Sequence, residues 1–232
     1  MYELRLGVFT DSLAGSGQAG GRAMRLSIRC VLVVVFVLGM RGVGVAQCDA
    51  FKRVFVTSTT YDGNLGGLAG ADAKCAARAA AAGLSGTYKA WLSDQTTSAA
   101  SRLTHAAVPY KRTDGVAVAN NWTDLTDGDL AVVTSPSPFT VGINHDEFGV
   151  ALSSGTVGAW TATLPDGSTA DPSGVLNCFS WTSNVASASP SGGIGYALDI
   201  PVTLPVGNAG SAWTAYAIES CSSLYRLYCL QQ

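Results

Sequence analysis

Apolar and polar positions alternate along the chain in short bursts, which predict brief strands gathered around one helix. Lys52 to Thr60 carries Val54, Phe55 and Val56 at its centre and predicts a strand. Tyr61 to Gly67 follows as a turn, rich in Gly, Asp and Asn. The one clear helix is expected over about 69–82, a stretch dense in alanine, the best helix former. Leu68, Ala71, Cys75, Ala79 and Ala82 recur at spacings of three and four and so share one face. Small residues there let the helix lie close against a sheet, with Cys75 pointing into the core. Gly83 sits just past the end, where a left-handed cap calls for glycine.

Tyr88 to Ser93 predicts a second strand and Thr96 to Leu103 a short helix. Val108 to Arg112 and Gly115 to Ala119 flank Thr113-Asp114-Gly115, a hairpin signal. Asn121 to Leu125 reads as a capped helical turn. From Thr126 to Pro172 the chain is turn-rich, with a brief strand signal over Val157 to Thr163. Cys178 to Trp181, Ser211 to Ile218 and Leu224 to Cys229 read as strands. No linker and no long-period repeat interrupts residues 48–232, so a single α+β domain is expected over 52–232, after a short segment at 47–51.

The amino end does not read as part of that domain. Met24 to Arg29 is basic, Val31 to Met40 is apolar, and Gly42 to Ala46 is small, with Gly44 and Ala46 placed for signal peptidase. That is the three-part layout of a secretory signal over 24–46. The apolar run falls short of the about 20 residues a membrane span needs. Residues 1–23 resemble neither signal nor core, so translation is expected to start at Met24, with a long n-region as the alternative.

Composition narrows the partners. The chain is 47% hydrophobic and 13% charged, which excludes a disordered polar chain. Five of its 14 Lys and Arg and two of its 16 Asp and Glu precede residue 47. Residues 47–232 therefore carry 9 basic side chains against 14 acidic ones, a net charge near −5. Nucleic acid, heparin and anionic membrane are poor partners for such a surface.

Cys30 lies within the signal, leaving Cys48, Cys75, Cys178, Cys221 and Cys229. In an exported chain these thiols meet conditions in which disulfides persist. There is no CxxC and no Cys/His pair at metal spacing, so zinc is not expected. Five cysteines make two bridges and leave one over, with three pairings open for any four. Cys48 is either a lipid-attachment site, the only membrane link the chain offers, or a free or intermolecular thiol. Gln47 before it is larger than a lipobox favours.

Several stretches together resemble a known family. Gly70 to Cys75, then Ala82 to Ser93 with its Gly-Leu-Ser-Gly-Thr-Tyr-Lys-Ala run, are similar to the first half of endostatin domains. Val108-Pro109, Asp114, Trp122 to Leu125, Cys178 to Trp181, Ser220-Cys221 and Leu227 to Cys229 continue the likeness. Arg53 to Ser58 and Gly63 to Gly67 bring it closer to the bacterial endostatin-like family, which includes the leptospiral endostatin-like surface proteins. The resemblance spans about 52–231 and implies a C-type-lectin-like fold of short antiparallel strands, one main helix and a long-loop region. It also implies two disulfides, Cys75 with Cys229 and Cys178 with Cys221.

Not everything carries over. Residues 47–104 contain no histidine, so the zinc site of endostatin is not expected, and the arginine surface that binds heparin is missing. Trp181 to Asn184 only echoes the Trp-Asn-Asp of sugar-binding lectins, and their proline motif is absent. A lectin fold by itself does not license lectin activity.

Candidate chemistry is sparse. Asp124, Asp127 and Asp129, with Asp146 and Glu147, are oxygen ligands of the kind calcium takes; capping and turn formation is the plainer use of Asp. No cofactor besides calcium is suggested. His145-Asp146-Glu147 hints at acid–base chemistry, without an activated Ser or Cys motif beside it. Four of the five tryptophans sit in strand-like apolar context and are expected in the core. The turn-rich stretch 126–215 is expected to carry function, because loops on a rigid scaffold do so. The sequence therefore suggests an exported or surface-displayed, non-catalytic module that binds an extracellular protein or glycan. A structural envelope domain without a soluble ligand is the alternative, and a metal-dependent hydrolase is the third reading.

Overall fold

In a computed structural model the described residues are 50–133, 139–152, 157–187, 189–201 and 211–232. The signal segment, its cleavage site and Cys48 lie outside them, as do parts of the 126–215 stretch.

Among the described residues eleven strands form: β1 (Lys52–Val56), β2 (Tyr88–Ala90), β3 (Tyr110–Arg112), β4 (Ala117–Ala119), β5 (Val132–Val133) and β6 (Phe139–Thr140) in the first half. β7 (Gly158–Trp160), β8 (Ser191–Tyr196), β9 (Ile200–Pro201), β10 (Ala217–Ser220) and β11 (Arg226–Gln231) complete them. Helices α1 (Gly67–Ala81), α2 (Ala99–Arg102) and α3 (Trp122–Leu125) lie between strands. The molecule is thus mixed α+β, with short strands, few helices and two disulfides. The main sheet runs β10-β8-β7-β11-β1-β3-β4, with β2 also paired to β11, and β5-β6-β9 make a small second sheet.

β11 is the hub. It pairs antiparallel with β1 and β2 and parallel with β7. Because side chains alternate across a strand, β1 and β11 feed two cores. Val54, Val56, Tyr228 and Leu230 join one with Trp91 and Trp213; Phe55, Leu227 and Cys229 join the other with Trp160 and Trp181. Those four tryptophans are buried, whereas Trp122 is half-buried and stacks on the His105 ring at 4.0 Å.

α1 packs on the second core through Ala71, Cys75 and Ala79. Leu68 is partly buried against the same cluster. The helix ends at Gly83, whose φ of 66° is the left-handed conformation glycine adopts at no steric cost. Cys75 bridges to Cys229 and so ties α1 to the hub strand; Cys178 bridges to Cys221. Both bridges close within buried surroundings and suit a compartment that oxidises thiols.

Two expectations need correction. Cys178–Trp181 is not a strand but a left-handed turn, with φ of 51°, 51°, 53° and 62° at four successive residues. Each such residue costs about 1–2 kcal/mol, so anchors from elsewhere must hold the turn. Cys178 is bridged, Asn177 Oδ1 accepts the Ser180 amide at 2.8 Å, and Trp181 Nε1 donates to the Ser93 carbonyl at 2.8 Å. The stretch 211–218 likewise splits, with a 3-10 turn at Ser211–Trp213 and β10 starting only at Ala217.

β8 has no strand signal in the sequence, because Gly192, Gly193 and Gly195 are poor strand formers. The glycines answer to packing. A Cβ at Gly192 would stand 2.4 Å from the Trp160 ring, and one at Gly195 would stand 1.9 Å from the Trp213 carbonyl oxygen.

Candidate functional site

The edge of the main sheet carries an open concavity with aromatic walls. β7, β8, β10 and the start of β11 form a groove of about 610 Å³ bordered by Gly158, Ile194, Tyr196, Tyr216, Glu219 and Tyr225. A second cavity of about 340 Å³ adjoins it, sharing Ile194 and Tyr216 and reaching Leu176.

Three tyrosines give the groove its character. The Tyr196 and Tyr216 rings lie 5.2 Å apart at 43°, and Tyr216 is 54% exposed. Tyr225 sets its ring edge against Trp160 at 4.9 Å. That ring fits because residue 158 is glycine; a Cβ there would stand 2.8 Å from it. Burial, and after it the Glu219 carboxylate, raise the pKa of the Tyr225 hydroxyl above its ordinary value. Glu219 is one of only two glutamates after residue 46. Ile218 and Leu224, both more than half exposed, flank the groove.

The cavity wall at Leu176 is positioned by Asp171, a buried carboxylate. It accepts the Ser173 amide at 2.9 Å, the Ser173 hydroxyl and the Leu176 amide. Burial alone would raise its pKa, but these hydrogen bonds outweigh it and hold the carboxyl below its ordinary value. The bonds therefore stabilise the fold above the unfolded-state pKa of about 3.9 and are lost as pH falls through the lower folded value. Asp171→Asn is expected to lower stability at pH 6 and to lose that deficit progressively below about pH 4. Urea unfolding of both proteins across that range checks this; a deficit independent of pH would refute it.

The acidic residues singled out in the sequence do not form one set. Asp124, Asp127 and Asp129 border a separate open cavity of about 520 Å³. Asp124 accepts the Asn120 amide at 2.6 Å and its side-chain nitrogen at 2.9 Å, and Asp127 accepts the Asp129 amide at 3.3 Å. Asp146 instead takes the Phe148 and Val150 amides, both at 2.9 Å, and so closes a tight turn. Glu147 is buried against Arg78, whose Nε donates at 2.6 Å, and against Ser58, whose hydroxyl donates at 2.6 Å. Among the described residues no group of three or more His, Cys, Asp or Glu is placed to hold a metal ion.

His145 serves a buried polar knot. Its Nε2 lies 3.3 Å from Asp114 Oδ2 and its Nδ1 lies 2.8 Å from Asn144 Oδ1. Burial and the Arg112 charge lower its pKa, so the ring is neutral at pH 7. Arg112 donates to the Gly142 carbonyl, Asn144, Asp114 and Asp199, stitching β3 to the loop before His145. Sequence reasoning missed the groove. Of its polar and aromatic members only Tyr196 falls within 126–215; Tyr216, Glu219 and Tyr225 lie just beyond it.

Fold and groove together define a disulfide-tied α+β domain with an aromatic, singly charged groove at a sheet edge. Residues 58–199 match the model of DUF1554, a family of proteins of unknown function, and the chain belongs to that family. The match contains Gly158, Ile194 and Tyr196, while Tyr216, Glu219 and Tyr225 lie outside it. No curated protein matches the chain. Among the described residues no helix is long and apolar enough to cross a membrane.

Proposed function

We propose that the protein is an exported or surface-displayed, non-catalytic binding module of the endostatin-like, C-type-lectin-like kind, and that the β8–β10 groove is its ligand face. The observation that carries this reading is the open groove itself, where Tyr216 stands 54% exposed beside Tyr196 and Glu219. Exposed aromatic side chains around a concavity are what ligand recognition uses, and they are costly to leave in water otherwise. Two long-range disulfides support export, and the helix tied to a central strand by Cys75–Cys229 supports the fold. The acidic character of residues 47–232 favours a protein or neutral glycan over heparin or nucleic acid.

Purified residues 47–232, with both disulfides formed, should bind saturably to at least one member of a panel of matrix proteins and glycans. Tyr196→Ala with Tyr216→Ala should abolish that binding without altering the unfolding midpoint. Exposed Ile218 on the edge strand β10 favours a second reading, a self-assembling envelope domain. Concentration-dependent association in sedimentation, with no binding across the panel, would replace the first reading by the second.

A further inference from the structure

From the tyrosine groove and its lone carboxylate we infer a binding site for a small quaternary ammonium group, with Tyr196, Tyr216 and Tyr225 supplying ring surface and Glu219 the counter-charge. The inference rests on the binding-module reading above and names the ligand chemistry of its groove.

Charge sets the ligand class. Among the described residues Glu219 is the only acidic side chain bordering the groove, and no Lys or Arg borders it. Arg226, the nearest cation in sequence, donates to the Thr57 carbonyl instead and senses Asp146 and Glu147. An anion entering the groove would meet a carboxylate with nothing to offset it. A neutral ligand would gain only apolar contact. A cation gains twice, from the carboxylate and from the negative faces of the rings.

Shape narrows the class further. Val157, Ile194 and Leu224 add apolar surface to the groove beside the Ser223 hydroxyl and the single carboxylate. A primary ammonium is strongly hydrated and needs several acceptors, whereas among the described residues Glu219 is the one carboxylate bordering the groove. A trimethylammonium group donates no hydrogen bond, wears methyl groups that suit Ile194 and Leu224, and still carries full charge. A phosphodiester beside that charge, as on a lipid headgroup, would be opposed by Glu219, so the proposal commits to ammonium compounds without an adjacent anion.

Calorimetric titration of residues 47–232, disulfides intact, tests this with four probes. Choline is expected to bind at least tenfold more tightly than 3,3-dimethylbutanol, its uncharged analogue of the same shape. Phosphocholine and phosphatidylcholine vesicles are expected to bind more weakly than choline. Glu219→Gln and Tyr216→Leu should each weaken choline at least fivefold, while Tyr216→Phe, which keeps the ring, should bind like the parent. Equal binding of choline and its uncharged analogue would reduce the site to an apolar cleft and overturn the inference. Tighter binding of phosphocholine or vesicles, or no choline binding at all, would overturn it too. If choline fails while the protein and glycan panel succeeds through Tyr196 and Tyr216, the inference falls and the binding-module reading stands.

Discussion

Replacing Cys75 and Cys229 together with alanine is expected to cost about 5 kcal/mol of folding stability, the largest loss any pair of side chains should produce. The bridge closes a span of 154 residues, and the entropy removed from the unfolded chain grows with the logarithm of that length. The native state also loses a tie between α1 and β11 at the centre of the second core, where both sulfurs are fully buried. With a urea m-value of about 2 kcal/mol per molar, the midpoint should fall by about 2.5 M. The same change at Cys178 and Cys221 spans 43 residues and should cost about 4 kcal/mol. It should also free the left-handed turn to unwind, visible as increased amide exchange at Phe179 and Ser180. A first pair that cost clearly less than the second would show that the unfolded chain is not the seat of the effect.

The second large effect is expected at Arg78→Ala. Glu147 has no exposed side-chain surface, and its charge is balanced by the Arg78 guanidinium. Removing the guanidinium strands a buried carboxylate with only Ser58 to hydrogen-bond it, which costs about 3–5 kcal/mol. Replacing both partners by apolar residues of similar size removes the buried charge as well as its mate. Arg78→Met with Glu147→Leu should therefore be far less harmful than Arg78→Ala alone. Urea unfolding of the single and double variants gives the comparison. A double variant as unstable as the single one would mean that the Arg78 guanidinium, which also lies over the Phe148 ring at 5.5 Å, matters more through that contact than through its pairing with Glu147.

These two contacts also show what could be read in the sequence. α1 was legible because its information is local: alanine density, a face repeating at three and four, and a glycine stop all sit within about 17 residues. β1, the β3–β4 hairpin and the capped turn α3 were legible for the same reason. β8 was not, since its glycines answer to Trp160 and Trp213, which lie 32 and 18 residues from Gly192 and Gly195. The turn at Cys178–Trp181 was read as a strand because its backbone is dictated by a bridge to Cys221 and a hydrogen bond to Ser93. Glu147 looked like a loop carboxylate because nothing nearby in sequence reveals that Arg78, 69 residues earlier, would cover it. The groove was hidden in the same way. Tyr196, Tyr216 and Tyr225 sit on or beside three different strands, and only their pairing makes one surface.

The position of β11 bears on when the molecule can fold. The strand joins β1, β2 and β7, which all precede it in the sequence, so three of the sheet's pairings wait for residues 226–231. A nascent polypeptide lacking it holds two half-cores without the ribbon between them. Loop closure over such distances is slow, and the oxidation that locks Cys75 to Cys229 must come later still. A chain without those pairings stays open and threadable, the state that passage through a translocation channel would require of it.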